Sequence, residues 1–376
     1  MFKKSLIIIV IILAVISCSS SDDSNNNNSN DDGFNRTELL ANVADNIILP
    51  AFQDLESKLT SLNLAKETFI NDKTSTNLDA LSTAWLEAYK VWQHVQMFNI
   101  GEAENVGGSE ERGFVSFFNI YPVTVATLEN GAANGTYDFN NEDYFAVQGF
   151  PALDFLIHGI ATGDTLPIDK FTSNSSFDGY TAYLTDVVSQ MITKNTTIVN
   201  SWESTYRNTF IANTDSGLNG SFNKLANDFI FFYEKGFRAE KFGIPAGVFS
   251  SGATLPEKVE AYYKRDVSRI LALEALTAIE DVFNGAGYTN NIDGTSIDTY
   301  LQFLDRADLV TDINNQFAAI RNAINGLDAS FSQQVIDNNT QMNAAYDILQ
   351  AAVPKLKVDM VQTLNVSIDF TDSDGD

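Results

Sequence analysis

The sequence predicts an all-α protein made of two packed helical bundles. Three observations predict it. Apolar residues recur at spacings of three and four along most of the chain, apolar content is an ordinary 44%, and no clean apolar–polar alternation appears before Leu364. Apolar stripes this wide need partners, and stacking helices into bundles covers them.

The elements follow in order. Leu40, Val43, Ile47, Ala51, Leu55, Leu59 and Leu62 mark a first helix, with Pro50 expected to bend it. Leu78, Leu81, Trp85, Trp92 and Val95 mark a second, with Asn77 as its expected cap. A third runs through Tyr180, Leu184, Val187, Met191, Val199, Trp202, Tyr206 and Phe210, and a fourth through Phe222, Leu225, Phe229 and Phe232. Pro256 suits the first turn of another helix that continues through Val259, Tyr263, Val267 and Ile270. Leu301, Leu304, Ile313, Phe317, Ile320 and Ile324 follow. The last helix starts near Phe331, passes Val335, Met342, Tyr346, Leu349 and Val353, and has Pro354 near its end. Leu364 to Phe370 alternates as a short terminal strand would. Gly101 to Gly113 and Gly243 through Pro256 read as irregular. A turn at Asn213 to Asn219 is the expected join, giving an N-terminal bundle at 37–213, a C-terminal bundle at 214–365 and an acidic tail at 366–376. That tail, Asp369 to Asp376, opens like a calcium loop but ends before the distal glutamate, so it reads as frayed.

The first residues read as an export signal. Lys3 and Lys4 precede an apolar run, Leu6 to Ile16, that is too short to span a bilayer, which takes ~20 residues. Val15-Ile16-Ser17-Cys18 resembles a bacterial lipobox, so Cys18 is the expected lipidation site and residues 1–18 a lipoprotein signal peptide. Cys18 is the only cysteine, so a lipidated chain has no thiol left for a disulfide or for catalysis. Ser19 to Asp32 contains only Ser, Asp and Asn and cannot bury apolar surface, so residues 19–36 are read as a tether. The expected location is the cell envelope, as an outer-membrane lipoprotein facing the periplasm or the cell surface.

With 49 acidic and 23 basic residues the formal charge is −26, which argues against nucleic acid, since phosphate binding needs clustered Lys and Arg. The expected partners are the bilayer, through acylated Cys18, and an unknown small ligand, metal or envelope protein. His94 and His158 are the only histidines, which narrows any histidine-based site.

One segment carries more specific information: Gln148-Gly149-Phe150-Pro151-Ala152-Leu153-Asp154-Phe155-Leu156-Ile157-His158-Gly159. It resembles the G-x-H-x-x-E signature of the imelysin family, the insulin-cleaving membrane proteases and their iron-uptake relatives. Trp85 to Trp92 followed by Phe98-Asn99-Ile100-Gly101, Glu240 to Pro245, and Pro256 to Tyr263 resemble three further family segments in the same order. The resemblance implies the two-bundle fold, an envelope location and a site near the cleft between bundles. At that site the family His falls on Pro151 and the family Glu on Asp154, while Tyr89 and Gln96 stand where the family tends to carry Arg and Glu. The expected ligand cleft therefore comprises Tyr89, Gln96, Gly149, Pro151, Asp154, His158, Glu240 and Lys241.

Chemistry limits what these residues can do. Proline cannot ligate a metal or take a proton through its side chain. Read locally, Gly149 permits a tight bend, Pro151 suits a helix start, and Asp154 suits its first turn. No catalytic residue and no cofactor is assigned. A remade divalent-metal site would use Asp154 and His158, four residues apart, completed by His94, Glu102 or Glu104. Three functions stay open: a non-catalytic binding protein linked to iron or another nutrient, a divergent metallopeptidase, and a surface lipoprotein that holds another protein.

Overall fold

The computed structural model describes residues 32–109, 112–290 and 292–369. The signal peptide, Cys18 and most of the expected tether lie outside them, as do residues 370–376 of the tail. Part of the expected tether is packed: Phe34 stacks on Tyr300 with ring centroids 4.0 Å apart, and Asn35 caps the first helix by accepting the Glu38 N–H.

The first stripe becomes α1 (Arg36–Asn42), a π-helical stretch Val43–Ile48, and α2 (Leu49–Asn71). Pro50 lies in the first turn of α2, where its missing N–H disturbs the backbone ladder least. Helix α3 (Ser75–Val95) buries Leu78, Leu81, Trp85, Trp92 and Val95, as their spacing predicts. Its cap is Thr74, whose hydroxyl accepts the Asn77 N–H; Asn77 instead donates its side chain to the Asp72 carbonyl. Thr74 has the extended backbone that an N-cap needs, whereas Asn77 is already inside the helix. The signature forms α4 (Gly149–His158). The long third stripe runs through α5 (Phe177–Ser201), a π turn Trp202–Tyr206 and α6 (Arg207–Ala212).

The second half begins with α7 (Ser221–Phe231), which continues directly into a twelve-residue π-helical segment, Phe232–Gly243. Then come α8 (Ser268–Asn284), α9 (Ala307–Asn325) and α10 (Phe331–Gln350). The helix expected from Pro256 does not form there. Pro256–Lys258 is one 3-10 turn, the chain stays irregular through Val267, and Ala261 and Arg265 take left-handed φ of 57° and 69°. L-residues in that region cannot continue a right-handed helix. Pro354 lies just past the end of α10, as expected, and opens a further π stretch, Pro354–Met360. The terminal strand is absent among the described residues. Asn223 and Asn227 hold the main chain at Ser367 and Asp369 instead, with bonds of 2.8–3.2 Å, so residues up to Asp369 are docked rather than frayed.

The fold is all-α. Among the described residues β structure is limited to two isolated bridges. Helix α2 packs on α3 and α5, and α4 on α3 and α5; in the second half α8 packs on α9, α9 on α10, and α10 on the π segment. Helix α8 also lies against α3, so the two halves share one continuous apolar core from Leu39 to Leu364. The described residues from Phe34 to Asp369 cluster as one compact unit.

Candidate functional site

Helix α3 presents Trp85, Tyr89, Trp92, Gln93 and Gln96 to the interior, all 7% exposed or less. The apolar members dock α4. The Trp85 indole donates to the Phe150 carbonyl at 3.1 Å, and the Tyr89 ring stacks on Phe150 at 4.4 Å. Gly149 is needed at this contact: its φ is +70°, and a Cβ there would lie 2.2 Å from the Phe118 carbonyl oxygen.

The polar members of α3 enter a buried network. Gln96 donates to Gln93 at 2.6 Å, and Gln93 donates to Glu260 at 3.1 Å. Lys241, from the π segment, donates to Gln93 at 2.8 Å and forms an ion pair with Glu260. Asn119 bridges the two sides, accepting from Tyr89 at 2.5 Å and donating to Glu260 at 2.9 Å. Burial first, then the charge of Glu260, pushes the Tyr89 hydroxyl well above its ordinary pKa, so it stays a neutral donor.

Asp154 anchors a neighbouring cluster. It sits in the second half of α4 rather than its first turn, and it is 1% exposed. Its two carboxylate oxygens accept the N–H groups of Tyr263 (2.8 Å) and Lys264 (2.9 Å), just beyond the left-handed Ala261. His158 Nδ1 lies 2.8 Å from Asp154 Oδ1, and Ser82 Oγ lies 2.7 Å from His158 Nε2. Since that carboxylate oxygen accepts, Nδ1 carries a proton, and Ser82 Oγ is the hydrogen-bond partner of Nε2. The order Ser82–His158–Asp154 is that of a nucleophilic relay. However, Ser82 lies in the interior of α3, where backbone N–H groups are committed to carbonyls one turn back and offer no oxyanion site. The chain of bonds ties α4 to α3 and to the 259–266 turn.

Between these parts lies a cavity of about 240 Å³, lined by Tyr121, Pro122, Val123, Pro151, Asp154, Glu257, Val259, Ala261, Tyr262 and Tyr263. The structure thus brings Pro151 and Asp154 to one cavity and stacks Tyr89 behind it. Gly149 shapes the approach, and Gln96 and Lys241 join the network beneath. Glu240 turns away to pair with Arg112, and His158 points to Ser82.

The signature does not fit a metal centre. Pro151 offers no donor, and both Asp154 oxygens are taken. His94 pairs with Glu274 at 3.1 Å and Glu104 with Lys224 at 2.8 Å, so neither joins Asp154 and His158. Among the described residues no group of three or more His, Cys, Asp or Glu side chains is gathered to hold an ion.

Sequence reasoning missed Gln93, Asn119, Tyr121 and Ser82, and placed Glu257, Glu260, Tyr262 and Tyr263 on a helix. A signal existed for Gln93: Tyr89, Gln93 and Gln96 interrupt the apolar face of α3 at spacings of four and three, where a buried network is the physical outcome.

The family profile described as Peptidase_M75: Imelysin matches residues 48–360. The chain belongs to the imelysin family. The solved structure of an imelysin-like protein from Psychrobacter arcticum 273-4 is 17% identical, with a TM-score of 0.67, covering 89% of this chain and 97% of the other. A protein from Parabacteroides distasonis ATCC 8503, known by name as an iron-regulated protein A precursor, is 16% identical with a TM-score of 0.69, covering 88% of this chain and 95% of its own. At these identities the likeness shows the imelysin fold alone. A search of curated proteins finds no match.

Proposed function

We propose that this imelysin-family chain is an envelope lipoprotein that binds a ligand in the Pro151–Tyr263 cavity and serves uptake of iron or another nutrient without cleaving peptides. One observation carries the reading. The wall where a peptidase of the family would present a histidine presents a proline ring, and the adjacent carboxylate is spent on two backbone N–H groups. A hydrolytic centre needs an activated water and a free base, and neither is supported by those groups. The cavity remains, walled by rings and a rim carboxylate, which suits recognition rather than turnover. The iron-regulated name of the Parabacteroides relative supports the nutrient assignment by analogy.

The test is a thermal-shift screen of the full chain with metals, iron chelates and small nutrients, run beside a peptidase assay with and without chelator. A ligand-dependent shift lost in Pro151→Trp, which fills the cavity, with no chelator-sensitive cleavage, is the expected result. Stoichiometric bound zinc together with proteolysis abolished by Asp154→Ala would overturn it. Membrane anchoring through Cys18 is part of the proposal. Labelled palmitate should enter the wild-type chain in a bacterial host and not Cys18→Ala.

A further inference from the structure

The lining of the cavity specifies the charge of its occupant. Two carboxylate residues line it, Asp154 of α4 and Glu257 on the turn, and among the described residues no Lys, Arg or His does. Lys241 is paired with Glu260, Arg112 with Glu240 and Lys264 with Asp266. Glu257 is exposed and makes no ion pair or hydrogen bond among the described residues. The remaining walls are Tyr121, Tyr262 and Tyr263 with Pro, Val and Ala, so rings face a negatively biased space. The hydroxyl of Tyr121 is buried there without a partner. Burial and then the charges of Glu260 and Glu240 hold it well above the ordinary phenol range. Tyr263 is pushed up to about 12 by burial and then by Asp154. Both phenols therefore remain neutral donors.

Resting on the ligand-binding reading above, we propose that the cleft takes an organic cation: an ammonium or guanidinium group on a short apolar body, such as a lysine or arginine side chain. The head group would lie among the tyrosine rings, where cation–π attraction operates, with Glu257 as counter-ion at the rim. The apolar body would meet Pro122, Val123 and Pro151. A volume of about 240 Å³ falls below the ~300–1,000 Å³ of sites for drug-sized ligands, which limits the occupant to one side chain or a molecule of that size. The overall charge of −26 would draw such a cation in over distance and repel anions.

The experiment titrates the full chain with three probes that share one capped backbone, Nα-acetyl-lysine amide, Nα-acetyl-norleucine amide and Nα-acetyl-glutamate amide, by calorimetry at low and high salt. The lysine probe should bind, weaken with salt, and lose on the order of tenfold in affinity in Glu257→Gln, a substitution at an exposed rim side chain. Tyr262→Leu should weaken the lysine probe and leave the norleucine probe unchanged. Equal binding of the neutral probe, or binding of the glutamate probe, would overturn the charge assignment and leave the ligand-binding reading standing. No binding of any probe, in a chain that also shows no shift in the wider ligand screen, would overturn both.

Discussion

Asp154 holds main chain from the other half of the sequence. The aspartate is one methylene shorter than glutamate, and its carboxylate closes on the Tyr263 and Lys264 N–H groups, clamping a turn whose Ala261 is held at positive φ. Asp154→Ala leaves two part-buried backbone donors and His158 Nδ1 without their carboxylate acceptor, so it should lower stability by about 2–4 kcal/mol in urea unfolding. If Asp154 were instead a ligand-binding group with no anchoring role, the variant would keep its midpoint. A second residue sets a pH dependence. Burial pushes Asp281 up to about 6, against ~3.9 in an unfolded chain. Between those values the folded protein holds the proton more tightly, so this contribution to stability is full below about pH 4 and is lost as pH rises through 6. Asp281→Asn should therefore gain stability relative to wild type between pH 5 and pH 7, read as a widening gap in urea midpoints. At this scale the sequence was legible where chemistry is absolute: Pro151 could be excluded as a ligand by inspection. The partners of Asp154 could not, because they are main-chain atoms more than a hundred residues away, and nothing in the side chains of Tyr263 and Lys264 signals them.

At the scale of elements, 3.6-residue periodicity located most helices but not their π segments. In Phe232–Gly243 the buried rings Phe232, Phe237 and Phe242 are spaced by five, a period that no α-helical face keeps. The wider turn lets Lys241 reach Glu260 while the rings still face the core. Deleting Gly236 should rewind the segment toward α geometry and swing Lys241 by about 100° away from its partner. The expected readout is a large loss of stability with helicity by far-ultraviolet circular dichroism nearly unchanged. Gly236→Ala, whose Cβ would lie 2.7 Å from the Phe232 ring, should cost far less, since that ring can shift. Equal effects would mean that local crowding, rather than helical phase, sets the segment. The Pro256 turn failed in the opposite sense. A proline followed by apolar residues at helical spacing reads as a helix start, but a left-handed Ala261 and the Asp154 clamp bend the chain around the cavity. Tertiary contacts there override local preference, and the override coincides with the candidate site.

Across the whole molecule, the helical stripes made the all-α class legible, but not how tightly the two halves would be joined. Helix α3 of the first half packs on α8 of the second, and the Gln93–Lys241–Glu260 cluster places one residue from the first half against two from the second. A buried ion pair contributes little net stability when intact and is costly to break, because the surviving charge has no water. Lys241→Met strands Glu260 and should lower stability by about 3–5 kcal/mol. Because the cluster spans the halves, the penalty should fall on the molecule as one cooperative unit. Tryptophan fluorescence reports α3 and the Trp202 turn in the first half. A probe attached at an engineered surface cysteine on α9 would report the second, and both should move to lower urea together in Lys241→Met. Separation of the two transitions in the variant would show that Lys241 acts as a latch between independently stable bundles. Coincident transitions would place the cleft inside a single folding unit, so that a ligand bound at Pro151 stabilises residues on both sides of the Asn213 to Asn219 turn alike.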